Sequence, residues 1–279
     1  MPRNRIERPN SVTPTPAGWH DGPMNDQPPQ VWRTLALVYL ATNAKWGPRL
    51  LGRRCQRVMT RPEREVIHGI LERVPAAVAT WSHGNAAMEP LDIVEVRRPL
   101  GSLSHSGGGL WWAGPRDCRA DILEAAPGGG YDAIFVLWPS DGAVPLCGWG
   151  CTVGPADGVN GAGLSSIASD HWPTLATSPD PEQGYVHEWL HQVESTYRAL
   201  GLSAEELPSL HDADLSSCRG PEDPPFGQNY AAYHDGGART WRPWYEDYMT
   251  GRVQTRDGRG CCGLTPERWA LRGAVERRQ

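Results

Sequence analysis

Two histidines four residues apart enclose a glutamate in the run His187-Glu188-Trp189-Leu190-His191. On a helix, residues four apart lie on one face, one turn above each other. Two imidazoles so placed reach a single zinc ion at about 2.0–2.1 Å each. Glu188 stands beside a ligand but points aside, where a carboxylate holds a metal-bound water without binding the metal strongly. Such an ion lowers the pKa of its water to about 7, and the carboxylate takes the proton. This is chemistry for hydrolysing an amide. A polar stripe on a helix with an apolar back would spell the same letters. The metal reading is favoured because the motif sits mid-helix, after several strands.

The elements that must position these residues are marked in the chain. Asp180 is the expected N-cap of the motif helix, with Pro181 at the first helical position and Gln183 closing a capping box. Gly201 is its expected stop. Val186, Leu190, Val193 and Tyr197 recur at helical spacing and form an apolar face. A short helix is expected from Ser203, boxed by Glu206, to Pro208. Upstream, Arg33 to Thr42 reads as a buried strand, and a helix follows from Arg61, capped by Thr60 with Glu63 and ended or kinked by Pro75. Leu91 to Arg98 alternates like a half-buried strand, and Pro115 to Ala126 reads as a helix. Tyr131 to Trp138 is the most apolar strand and is expected at the centre of the sheet. Leu146 to Val153 and Gly161 to Ala168 are weaker strands. This alternation predicts an α+β fold, a mixed sheet with helices packed on it. Residues 1–30 read as a disordered leader and 31–201 as the sheet-bearing subdomain with the motif helix. Residues 202–279 read as a loop-rich C-terminal subdomain that completes the metal site. That part carries an aromatic run (Trp241, Trp244, Tyr245, Tyr248) and a last helix opened by Thr265-Pro266-Glu267.

The segment Val186 to Glu194, VHEWLHQVE, resembles the zincin metallopeptidases, and the order of elements from about Val31 to Gly201 is similar to theirs. The wider run HEWLHQ-x-E is also similar to bacterial zincin-like proteins of unknown substrate. The resemblance implies zinc held by His187 and His191, with Glu188 as general base. The metzincin pattern requires Gly and His at fixed spacings after the second histidine. Here Glu194 stands three residues after His191 and no glycine follows until Gly201, although Met249 invites comparison with the metzincin Met-turn. Leu210-His211-Asp212-Ala213-Asp214 follows a tight helix-turn-helix. His211 is the expected third ligand, ahead of Asp212 and Asp214, giving a His₃ site with an open fourth position. Glu194 could ligate, but is read as orienting a ligand from behind. Tyr230, Tyr233, His234, Tyr245 and Tyr248 are candidate oxyanion donors.

Substrate would be a peptide or protein lying extended along a sheet edge, with Gly161 to Ala168 the expected edge. A metalloenzyme acting on a small or modified substrate is the alternative that keeps the site. A binding protein on the same scaffold is the alternative that abandons catalysis, suggested by 13 Trp against 2 Phe. The net charge of -5 gives no basic field for nucleic acid. The most apolar stretch, Val31 to Thr42, is too short for a membrane span and is broken by Arg33. The first residues carry Arg3, Arg5, Glu7 and Arg8, then prolines, with no apolar core of a signal peptide, so a cytoplasmic location is expected. Secretion by another route stays open. The odd count of 7 Cys does not read as a disulfide scaffold.

Overall fold

The computed structural model describes residues 28–47, 52–146, 150–210, 240–255 and 259–276. Strands β1 (Gln30–Val31), β2 (Thr34–Tyr39), β3 (Ala41–Trp46) and β4 (Arg53–Val58) precede helices α1 (Arg61–Leu71) and α2 (Val74–Trp81). Strands β5 (Ala86–Ala87), β6 (Leu91–Val96), β7 (Leu100–Ser102), β8 (Ser104–Gly107) and β9 (Leu110–Trp112) lead to α3 (Pro115–Ala125). Then come β10 (Ala133–Trp138), β11 (Cys151–Val153), β12 (Gly163–Ala168), α4 (Trp172–Ala176) and α5 (Gln183–Ala199). Beyond residue 240 stand α6 (Arg242–Thr250), the ribbon β13 (Val253–Gln254) with β14 (Cys261–Cys262), and α7 (Pro266–Glu276).

The main sheet has five strands in the order β11-β12-β10-β2-β6. β12, β10, β2 and β6 run parallel, and β11 pairs antiparallel with β12. Parallel strands covered on both faces have to be apolar throughout, and every residue of β2, β10 and β12 is buried. β10 is central, as its composition predicts. Gly161 to Ala168 is not the edge: β12 is interior, and the edge is β11. The small residues of β12 let its neighbours come close rather than leaving it bare. A Cβ on Gly163 would meet the Gln192 side chain at 2.7–3.0 Å. Asn160 and Gly161, both at positive φ, make the tight turn that feeds β12.

One face of the sheet, through Ala36, Val38, Phe135, Leu137 and Ile167, packs on α1, α2, α5, α6 and Trp269 of α7. The other, through Leu35, Leu37, Ile134, Val136 and Leu164, packs on α3, on Trp112 of β9, and on Ala44, Trp46 and Cys55 of the small β4-β3-β7 sheet. Helices, a mixed sheet and smaller accessory sheets make this an α+β arrangement. Residues 240–276 share the core of α5. Trp32, Trp138, Trp172, Trp189, Trp244 and Trp269 are among the largest fully buried side chains, so much of the tryptophan excess fills the interior.

The local signals hold in part. Thr60 caps α1 and Glu63 returns the bond, closing the predicted box. Pro75 does more than stop α1: it sits in the first turn of a second helix, where no N–H is required. Gly201, at φ +102°, ends α5 with Leu202 N–H on the Tyr197 carbonyl and Gly201 N–H on the Arg198 carbonyl, a Schellman pattern. The start of α5 differs from expectation. It begins at Gln183 without a side-chain cap. Asp180 instead accepts from the Thr240 hydroxyl and pairs with Arg242 at 3.6 Å, and Gln183 Oε1 accepts from the Trp241 N–H at 2.8 Å. The expected capping groups thus tie α5 to the segment entering α6. Ser203 and Glu206 make the box contacts (2.9–3.2 Å) but close a single turn rather than a helix. Cys262 is disulfide-bonded. No helix among the described residues is long and apolar enough to cross a membrane.

Candidate active site

Helix α5 has its apolar stripe against the sheet and α2, and its motif residues face two different neighbours. His187 and His191 stand one turn apart with ring centroids at 4.8 Å and planes at 88°. His187 is 7% exposed. Its Nδ1 lies 2.9 Å from the Tyr245 hydroxyl of α6. The Tyr245 ring is stacked between Trp81 of α2 (6.2 Å) and Trp241 (6.4 Å), so the hydroxyl is held by packing. With Nδ1 held this way, Nε2 is the His187 nitrogen suited to a metal.

Glu188 turns toward the edge strand. Thr152 Oγ1 on β11 donates to its Oε2 at 2.6 Å. Ser165 Oγ on β12 donates to the Glu188 carbonyl at 2.9 Å, and Gln192 Nε2 donates to Ser165 Oγ at 2.6 Å. Burial pushes the Glu188 carboxyl above its ordinary pKa, while nearby His191 and the Thr152 hydroxyl pull it back. The net shift is upward, which makes the group a stronger proton acceptor than an ordinary carboxylate. Gly150 covers it: a Cβ there would sit 2.7 Å from Glu188 Cδ.

Glu194 lies behind His191. Its Oε2 is 3.7 Å from His191 Nδ1 and accepts from the Leu210 N–H at 3.3 Å, and its Oε1 is 3.9 Å from Arg198. Glu194 thus anchors the following turn, while its 3.7 Å separation from His191 Nδ1 is longer than a hydrogen bond. His211, Asp212 and Asp214 lie outside the described residues, as do Tyr230, Tyr233 and His234. Among the described residues no group of three or more His, Cys, Asp or Glu side chains converges as a metal site. The chemistry present is two imidazoles one helix turn apart, edge to face, with a carboxylate turned aside to the edge strand; two imidazoles suit zinc, which would need at least one more ligand.

Two of the candidate oxyanion donors are otherwise engaged. Tyr245 serves His187, and Tyr248 is buried with its hydroxyl on the Pro208 carbonyl at 3.1 Å. Met249 lies inside α6 and makes no turn beneath the histidines. Thr152, Ser165 and Gln192 have no signature in the sequence. Only Gln192, one turn beyond Glu188 on the same helix face, could have been suspected as a partner. No protein-family model matches the chain, and neither a curated protein nor a solved structure is significantly similar to it.

Proposed function

We propose that this protein is a zinc-dependent hydrolase of zincin type that cleaves a peptide or peptide-like amide. The observation that carries the reading is the His187–His191 pair on a buried helix turn, with Glu188 between them held by an edge strand. His187, His191 and His211 would hold the metal, with Asp212, Asp214 and Glu194 as the competing third ligands. Bound zinc would supply an acidified water and a Lewis acid for the scissile carbonyl. Tyr245 fixes the His187 ring, and Glu194 faces His191 Nδ1. Thr152 occupies Glu188 Oε2, which leaves Oε1 to take a proton from the attacking water and return it to the leaving amine.

Peptide is favoured over a small substrate by β11. Its outer side pairs with no strand among the described residues, and a peptide can add there through main-chain hydrogen bonds. The binding-protein alternative loses its motive, since so many of the tryptophans are core. The test is cleavage of a proteome-derived peptide library by zinc-loaded wild type beside Glu188→Gln. Cleavage by wild type, lowered at least about a hundredfold in the variant, is expected. Equal cleavage by both would contradict the role given to Glu188.

A further inference from the structure

Gln192 follows Glu188 by one turn of α5 and is wholly buried where the helix meets β10 and β12. Its Nε2 donates to Ser165 Oγ at 2.6 Å and to the Ile134 carbonyl at 3.3 Å. Its Oε1 is buried and has no hydrogen-bond partner. A buried acceptor left unpaired destabilises a fold, and an apolar side chain of the same size would not. Nor is Ser165 left alone without the amide. Its hydroxyl also stands 2.9 Å from the Glu188 carbonyl and 2.9 Å from Thr152 Oγ1. Packing and hydrogen-bond satisfaction therefore do not account for a glutamine at this position.

What the amide supplies is direction. A backbone carbonyl only accepts, so the Ile134 oxygen fixes Nε2, rather than Oε1, as the atom facing the serine. An amide nitrogen only donates, so it fills one acceptor position on Ser165 Oγ and polarises that hydroxyl to donate in turn. The single Ser165 hydrogen is shared between the Glu188 carbonyl and Thr152 Oγ1. Donated to Thr152, it completes a chain that runs in one sense: Gln192 N–H to Ser165, Ser165 O–H to Thr152, Thr152 O–H to Glu188 Oε2 at 2.6 Å. In that sense the one Thr152 hydrogen is committed to the carboxylate. Without the amide, Ser165 Oγ is free to accept from Thr152, and the Thr152 hydrogen turns away from Glu188.

We propose that Gln192 is a positioning residue for the general base: acting through Ser165 and Thr152, it keeps Glu188 Oε2 occupied and leaves Oε1 as the oxygen that works on the attacking water. The inference rests on the hydrolase reading. Gln192→Met keeps the length and bulk of the side chain and removes the donor. Kinetics are measured on the library peptide that zinc-loaded wild type cleaves fastest, for wild type, Gln192→Met, Thr152→Val and the double variant. Zinc content and the thermal midpoint of the metal-free proteins are measured alongside. In Gln192→Met, kcat should fall about three- to tenfold with KM and zinc content unchanged, and the midpoint should not fall, because the unpaired Oε1 is gone. In the Thr152→Val background the same replacement should change kcat by no more than about twofold, since the hydroxyl it acts on is absent. Gln192→Leu takes its place if the methionine variant does not fold. A kcat within about twofold of wild type in the single variant, or an equal loss with and without the Thr152 hydroxyl, would overturn the positioning role alone. No cleavage by zinc-loaded wild type would overturn the hydrolase reading and the role of Gln192 with it.

Discussion

Replacing Tyr245 by Phe removes one oxygen and leaves the ring in place between Trp81 and Trp241. The oxygen removed is the one 2.9 Å from Nδ1 of His187, a side chain only 7% exposed. Water is poorly placed to replace it. Losing a partner to a buried polar atom costs about 1–3 kcal/mol. If His187 is a zinc ligand, much of that cost falls on metal binding, because the hydroxyl sets the ring's tautomer and orientation. Outer partners of ligating histidines are worth about 10–100-fold in affinity, or about 1.4–2.7 kcal/mol. The variant should therefore bind zinc about 10–100-fold more weakly. Its metal-free thermal midpoint should drop by only a few degrees. The assay is competition against a chromophoric zinc chelator, with thermal unfolding of the metal-free protein alongside. A metal affinity within twofold of wild type would refute the reasoning, and a fall in stability alone would reduce Tyr245 to a packing residue.

Three further outcomes follow from the same geometry. Thr152→Val should lower kcat about tenfold or more with KM little changed, and Thr152→Ser should restore it, because only the hydroxyl reaches Glu188. Gly150→Ala should lower activity further, since its Cβ collides with Glu188 Cδ and the Ser166 carbonyl together; full activity in that variant would show that the carboxylate has room to move. Glu63→Gln tests pH linkage. Burial alone would raise the Glu63 pKa, but the Thr60 N–H and hydroxyl and the Arg57 guanidinium together hold it below its ordinary value. A depressed carboxyl pKa stabilises the fold above the unfolded value and loses that contribution as pH falls through the folded one. Wild type should thus exceed the variant in unfolding free energy from denaturant titration at pH 7, by under about 1 kcal/mol, with the gap closing between about pH 5 and pH 3.

The strands of the core were legible because burial on both faces writes itself as continuous apolar sequence, as in AIFVLW of β10. The box at Thr60 and Glu63 was legible because it is local. The start of α5 was misread for the opposite reason. Asp180 and Gln183 have the letters of a capping box, but Thr240, Trp241 and Arg242, about sixty residues away, take their side chains. The edge strand was misplaced because small residues fit an open edge and a tightly packed interior equally well, and only the Glu188–Ser165–Gln192 contacts decide between them. Histidine spacing marked two candidate ligands, since a helix turn is a local rule. The groups that hold His187 and Glu188, Tyr245 on α6 and Thr152 on β11, arrive through tertiary packing and leave no pattern along the chain.

The central claim is that His187 and His191 hold a zinc ion, and the most direct measurement of it is metal stoichiometry. Elemental analysis of purified wild type would be set beside His187→Ala, His191→Ala, His211→Ala and Glu188→Gln. The account predicts one zinc per chain in wild type and in Glu188→Gln, and none in the three histidine variants. Zinc retained only by His211→Ala would move the third ligand to Asp212, Asp214 or Glu194. No zinc in wild type after reconstitution, or zinc undiminished in His187→Ala and His191→Ala, would contradict it.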